Sequence, residues 1–300
     1  MTRAAAALLA LVTVACSAPA TPARSASPTP HTVADITYAT VNGKGLSLDL
    51  DLPPGPGPFP VIVWIHGGAW AEGDKAGGPA AFYPQFGYAV ARVNYRLSGD
   101  AAFPAQLFDV KAAVRWVRAN AAKYALDPDH IAAWGASAGA HLAALLGTTG
   151  GVAGLEGDTG GNLDRSSGVN AVVDWSGPTD FLRMDEQMVC NPPRREKADS
   201  PRSGESLLVG CQISSCPDKA KRANPIVYVS KDDAAFLIMH GTHDCTVPHG
   251  QSQLLYDALK SAGVDATLKL LPNADHNSAD FFSPDATAAL DAFLARTLKR

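Results

Sequence analysis

From about residue 32 onward, short apolar runs alternate with stretches whose apolar positions recur at helical spacing. Residues 36–40 and 46–52 alternate apolar and polar like an antiparallel pair, and Asn42-Gly43 supplies the turn between them. A Pro/Gly-rich loop at 53–60 separates this pair from the fully apolar run 61–65, and 88–93 and 131–134 are of the same kind. Between the last two, 105–124 places Leu107, Val110, Val114 and Val117 on one helical face. Further apolar runs at 171–175, 236–239 and 266–271 are interleaved with helical patterns at 251–261 and 284–298. Strand–helix alternation of this kind predicts a mostly parallel sheet with helices on both faces, since parallel strands are buried on two sides. No repeat or second linker interrupts 32–300, so one domain is expected there.

The N-terminal stretch has another character. Arg3 is followed by an apolar segment at 4–15, too short to span a bilayer, which has the pattern of an export signal. Thr13-Val14-Ala15-Cys16 resembles a bacterial lipoprotein box, in which Cys16 becomes the lipid-bearing first residue; plain cleavage nearby, with secretion, is the alternative. Residues 17–31 are rich in Ser, Thr, Pro and Ala, with Arg24 the only Lys, Arg, Asp or Glu, and read as a semi-extended tether. The expected organisation is therefore signal and lipobox at 1–16, tether at 17–31 and folded domain at 32–300.

Composition narrows the function. With 46% hydrophobic and 18% charged residues the chain is no disordered polymer. Twenty-five basic residues against 29 acidic ones leave a net charge of −4 without a basic patch, which argues against a nucleic-acid partner. Removing Cys16 from the five cysteines leaves Cys190, Cys211, Cys216 and Cys245, an even set that export favours as disulfides. Joining sequence neighbours would pair Cys190 with Cys211 and Cys216 with Cys245, and would tie the polar stretch 183–221 to the segment around Cys245.

The candidate chemistry starts at Gly135-Ala136-Ser137-Ala138-Gly139. This G-x-S-x-G follows an apolar strand and precedes a helical stretch, the context of a strained turn that exposes a nucleophilic serine. His66-Gly67-Gly68-Ala69-Trp70 sits directly after the strand 61–65, where Gly67, Gly68 and Ala69 can bring backbone N–H groups to a developing oxyanion, with Ala138 N–H as partner. A serine nucleophile needs a base and the base an orienting carboxylate. Of eight histidines, His276 stands in the polar loop between the last strand and last helix, and Asp244 in the loop after 236–239, in the order Ser, Asp, His. His249 is the next base candidate, while His141 reads as a packing residue and Asp275 as a solvated loop residue. Asp158, Gly160, Asn162 and Asp164 alternate like calcium ligands but lack a closing Glu. No metal or cofactor is expected.

The segments HGGAW (66–70), GASAG within 109–147, ANPIVYV (223–229), HGTHDCTVP (240–248) and ADH (274–276) resemble the α/β-hydrolase carboxylesterases. The resemblance is nearest the bacterial feruloyl-esterase-like (BD-FAE-like) branch, related to the hormone-sensitive-lipase group. It implies an eight-stranded α/β-hydrolase fold with Ser137, Asp244 and His276 as triad and Gly67, Gly68, Ala69 and Ala138 as oxyanion frame. It further implies a small-molecule ester as substrate; a membrane contact is expected only through the lipid anchor read at Cys16. The oligomeric state stays open. HGG-x-W also occurs in arylformamidases, and peptidases share the triad order. A catalytically silent binding protein of this fold is the rival from another class.

Overall fold

The computed structural model describes residues 1, 29–193 and 195–299. The expected signal segment with Cys16, and the tether up to residue 28, lie outside the described residues. The core is an eight-stranded sheet in the order β1-β2-β4-β3-β5-β6-β7-β8. Its strands are β1 (His31–Val41), β2 (Lys44–Leu52), β3 (Phe59–Ile65), β4 (Ala89–Val93), β5 (Leu126–Ala136), β6 (Ala171–Trp175), β7 (Ala235–Gly241) and β8 (Ala266–Leu271). The β1–β2 and β2–β4 pairs are antiparallel and all later pairs parallel. This is the α/β-hydrolase fold.

The helices are α1 (Ala105–Ala119), α2 (Ala121–Tyr124), α3 (Ala138–Thr148), α4 (Gly204–Val209), α5 (Pro217–Arg222), α6 (Gly250–Ser261) and α7 (Pro284–Leu298). Alternate residues of β3 show why both faces must be covered. Val61, Val63 and Ile65 pack with apolar residues of α1, α3 and α6, while Ile62 and Trp64 pack with those of α7 and the turn at Pro79–Phe86. Among the described residues no helix is long and apolar enough to cross a membrane.

Three boundaries differ from expectation. His31, placed in the tether, begins β1, because its backbone pairs with Leu52 and the adjacent Thr32 hydroxyl donates to Asp51 at 2.6 Å. The single helix predicted over 105–124 breaks at Asn120. Its backbone N–H and side-chain amide both reach the Trp116 carbonyl, at 3.0 and 2.9 Å, and close α1 one turn early. β5 begins well before residue 131, since Leu126 pairs with Phe59 beyond an irregularity.

The strands end together where β3 through β8 run parallel, so the loops after them cluster on one edge of the sheet. The segment 176–234 between β6 and β7 carries α4 and α5 and contains the polar insertion read from the sequence.

Candidate active site

Ser137 sits between the last residue of β5 and the first of α3, with φ 55° and ψ −121°. A non-glycine residue in that region is strained by about 1–3 kcal/mol, so the surroundings must hold it there. Two of them are visible: Ser137 N–H donates to the Trp175 carbonyl at 2.8 Å, and the Ser137 carbonyl accepts the His141 N–H at 3.1 Å as α3 begins. The flanking glycines are required by close approach. A Cβ on Gly139 would lie 2.0 Å from the Ile65 carbonyl oxygen, and one on Gly135 2.2 Å from Gly139. The G-x-S-x-G pattern is thus a packing demand of the turn.

The loop after β3 lies against this elbow: a Cβ on Gly67 would meet the Ala136 oxygen at 2.9 Å and the Ser137 Cβ at 3.4 Å. Gly68 does a different job from its neighbours. With φ +107° it turns the chain, and its carbonyl accepts the N–H groups of Ala71 and Glu72 at 2.9 and 3.0 Å. Ala69 and Ala138, with Ser137, line one cavity of about 230 Å³. The loop is braced from behind by Tyr95, whose hydroxyl donates to the His66 carbonyl at 3.0 Å and whose ring stacks on His66.

Asp244 lies in the loop after β7 and is fully buried. Its Oδ1 accepts the N–H groups of Thr246 and Val247, both at 2.8 Å. Its Oδ2 faces two imidazoles, His276 Nδ1 at 2.6 Å and His240 Nε2 at 3.1 Å. Burial pushes its pKa up, but the hydrogen bonds from His240 and His276 outweigh burial and hold the carboxyl well below the ordinary range. An ionised carboxylate only accepts, so the facing nitrogens carry protons. On His276 that fixes the tautomer: Nδ1 donates, and Nε2 is the nitrogen with a free lone pair.

His240, near the end of β7, also belongs to this cluster. Its Nε2 also faces the Val247 carbonyl at 2.9 Å, and its Nδ1 the Ser252 hydroxyl on α6 at 2.6 Å. The spacing of Asp244 four residues beyond a strand-end histidine was the available signal. Asp275 is also more than a solvated residue. Its Oδ1 accepts the N–H of His276 at 2.7 Å and that of Cys245 at 3.4 Å, joining the His276 loop to the Asp244 loop. His141 is a packing residue as expected: it lies fully buried against Trp70 and Phe181, its Nε2–H donates to the Ala223 carbonyl at 2.7 Å, and burial takes it down to about 4. His249 stands at the start of α6, and its Nδ1 has no partner among the described residues.

The four described cysteines are paired, one bond joining neighbours in sequence and the other crossing the insertion. Cys190 bonds Cys245 and Cys211 bonds Cys216, with Cα separations of 5.3 and 6.4 Å. The expected Cys190–Cys211 and Cys216–Cys245 connectivity is therefore wrong. A tight turn at Ile213–Ser215 brings Cys211 and Cys216 together, which leaves Cys190 for the acid loop. The insertion is still tied to the residue after Asp244.

That insertion forms the far wall of the cavity beside Ser137. Arg195 donates through Nε to the Thr246 carbonyl, and its Nη1 lies 3.4 Å from Glu205 Oε2. Burial pushes the Glu205 carboxyl up, against the pull of Arg195. Among the described residues the one group of convergent metal-type donors is Cys190, His243 and Cys245, and its two sulfurs are spent on the disulfide. Beside the calcium-like residues Asp158, Gly160, Asn162 and Asp164, and not on them, Lys111 Nζ reaches Glu156 Oε1 at 2.7 Å, and Arg115 reaches the Glu156 and Thr159 carbonyls at 3.1 and 3.0 Å. Buried side-chain cations hold those oxygens. A larger hollow of about 470 Å³ sits at the opposite, N-terminal edge of the sheet, around His130, Asn170 and Asp233, away from Ser137.

The family model BD-FAE matches residues 48–259, most of the folded chain. The chain belongs to the BD-FAE family. Esterase LipQ of Mycobacterium tuberculosis is 33% identical over 224 residues, 72% of this chain and 49% of that protein. Esterase LipC of the same organism is 31% identical over 220 residues, 72% of this chain and 52% of its own length. The chain thus spans about half the length of these curated relatives. Among solved structures, a truncated form of a carbohydrate esterase from gut microbiota superposes with a TM-score of 0.81 at 34% identity, covering 90% of this chain and 97% of that one. A bifunctional GH43-CE protein of Bacteroides eggerthii gives 0.80 at 36% identity over 89% of this chain and 35% of its own.

Proposed function

We propose that this BD-FAE protein is a serine carboxylesterase. Ser137 attacks the ester carbonyl, His276 Nε2 takes its proton, and Asp244 holds the imidazole in the productive tautomer and steadies the imidazolium. The backbone around Gly67, Ala69 and Ala138 receives the oxyanion, helped by the positive end of α3. His276 then returns the proton to the departing alcohol, and water resolves the acyl-enzyme with the same base. The observation that carries this reading is the strained Ser137 elbow beside a loop whose buried carboxylate grips His276 at 2.6 Å.

The cavity suggests the substrate. At about 230 Å³ it falls below the roughly 300–1,000 Å³ of sites for drug-sized ligands, which favours a short acyl group over a long chain. One side is apolar, from Trp70, Pro178 and Val247, and the other carries Arg195, Ser203 and Glu205. A wall of paired donor and acceptor suits an alcohol with free hydroxyls, and one similar structure is described as a carbohydrate esterase. Short acyl esters of carbohydrates are therefore the favoured substrates.

Hydrolysis of p-nitrophenyl acetate, of acetylated and feruloylated glycosides and of a long-chain ester tests both statements. Ser137→Ala, folded by circular dichroism, should lose about 10⁴–10⁶ in kcat. A folded wild type without activity on any ester would instead support the silent binding protein. The apolar segment at 4–15, Cys16 and the two disulfides support export with a lipid anchor. Cys16→Ala should move the protein from the detergent phase to the medium, and equal partitioning of both forms would reject the anchor.

A further inference from the structure

His240 is fully buried at the end of β7 and takes no part in the chemistry assigned above. Its Nε2 nevertheless reaches Asp244 itself. Nε2 faces two acceptors at once, Asp244 Oδ2 at 3.1 Å and the Val247 carbonyl at 2.9 Å. Two acceptors require a proton on that nitrogen. Nδ1 is held by the Ser252 hydroxyl at 2.6 Å, so α6 fixes the ring in the plane that aims Nε2–H at the carboxylate. Asp244 thereby has four donors, two backbone N–H groups on Oδ1 and two imidazole N–H groups on Oδ2. That fills the lone-pair sites of a carboxylate. None is left for water, and the carboxylate cannot rotate without breaking two bonds.

From this arrangement we infer that His240 is a positioning residue: it shares Asp244 Oδ2 with His276, and so sets both the orientation of the carboxylate and how much of its charge the catalytic imidazolium feels. The inference rests on the Ser137–His276–Asp244 reading. A hydrogen bond donated to Oδ2 by His240 withdraws negative charge from the oxygen that steadies the His276 cation. Losing that donor has two consequences of different kind. The carboxylate is less well held, which lowers kcat at the plateau. Its undivided charge also favours protonated His276, which moves the acid limb of the activity profile to higher pH. A role confined to core packing would lower stability and leave the limb where it is.

The other groups facing His240 stay unchanged in the variants below. β6 brings Asp174, which is buried, and the start of α6 brings His249; both exert charge effects on or from His240. β8 pairs with His240 through Leu270, which carries no charge.

The experiment measures kcat and KM for p-nitrophenyl acetate across pH in wild type, His240→Leu, His240→Gln and Ser252→Ala, with melting curves for each. His240→Leu should lose roughly 10–100-fold in kcat with KM within about twofold, and its acid limb should rise by about half a pH unit. His240→Gln keeps an N–H near the Nε2 position and should recover most of kcat and return the limb towards wild type. Ser252→Ala keeps the imidazole but releases it, and should shift the limb the same way by less. If His240→Leu does not fold, His240→Gln and Ser252→Ala carry the test. An unmoved limb in every folded variant, or a limb that moves to lower pH, overturns the inference, as does a glutamine variant that behaves like leucine. If wild type hydrolyses no ester, or His276→Ala keeps full activity, the fault lies in the triad reading instead.

Discussion

Replacing Asp244 with asparagine tests how the acid works, because the change is nearly isosteric and its effect follows from the bonds already counted. Oδ1 accepts two backbone N–H groups and Oδ2 two imidazole N–H groups. An asparagine has one acceptor oxygen and one donor nitrogen, so either orientation points its NH₂ at two donors. If the oxygen keeps Thr246 and Val247, the NH₂ faces His276 and His240, and His276 must move its proton to Nε2 to accept. That tautomer cannot take the proton of Ser137. If the amide flips, the tautomer survives but two buried backbone N–H groups lose their partner. At about 1–3 kcal/mol for each mismatched pair, the productive arrangement is raised by about 2–6 kcal/mol. At 1.36 kcal/mol per tenfold in rate, that spans about 30-fold to 3 × 10⁴-fold in kcat. The upper half is expected, about 10³–10⁴, as for a triad left in the wrong tautomer. Initial rates with p-nitrophenyl acetate, with KM measured alongside, give the number. The wild-type carboxyl titrates below its unfolded value near 3.9. Its contribution to stability is therefore present above about pH 4 and fades as pH falls towards the folded value. Asparagine does not titrate, so the variant should lack that part of the acid-unfolding slope. A kcat within tenfold of wild type would refute the argument.

Two further predictions concern stability. The Cys190–Cys245 bond spans 55 residues and Cys211–Cys216 five, so chain entropy assigns them about 4 and about 2 kcal/mol. Denaturant melts of the two double-serine variants should rank in that order, and only loss of Cys190–Cys245 should lower kcat, because only that bond anchors the acid loop; the reverse ranking would show that native strain dominates. Asp174, buried on β6, is pushed up to about 6 by burial, the Gly177 N–H pulling the other way. Its raised folded value means that stability is greatest below the unfolded value near 4, falls as pH rises to about 6 and stays low above. Two units at 1.36 kcal/mol each make a penalty of about 3 kcal/mol at neutral pH. Asp174→Asn should thus melt higher at pH 7.5 and no higher at pH 3.8; equal changes at both would reject the linkage.

The sequence by itself determined whatever depends on residues close along the chain. Period-two and helical patterns located most strands and helices, because each element buries a face whose spacing is set by its own geometry. The Ser137 elbow was legible for the same reason: a strained turn admits only small neighbours, and a Cβ on Gly135 or Gly139 would lie within 2.2 Å of backbone. Asp244 and His276 could be picked out as candidates because each stands in a loop that follows an apolar run read as a parallel strand. Only the tertiary structure decided which chain-distant groups meet. Cys245 joined Cys190 rather than Cys216, because a short turn spends Cys216 on Cys211. Asp275 turned out to bridge two loops, and His240 to share the carboxylate of Asp244. A hydrogen bond needs its partner within about 3 Å, and local pattern carries no record of which loops the packing of eight strands will bring that close.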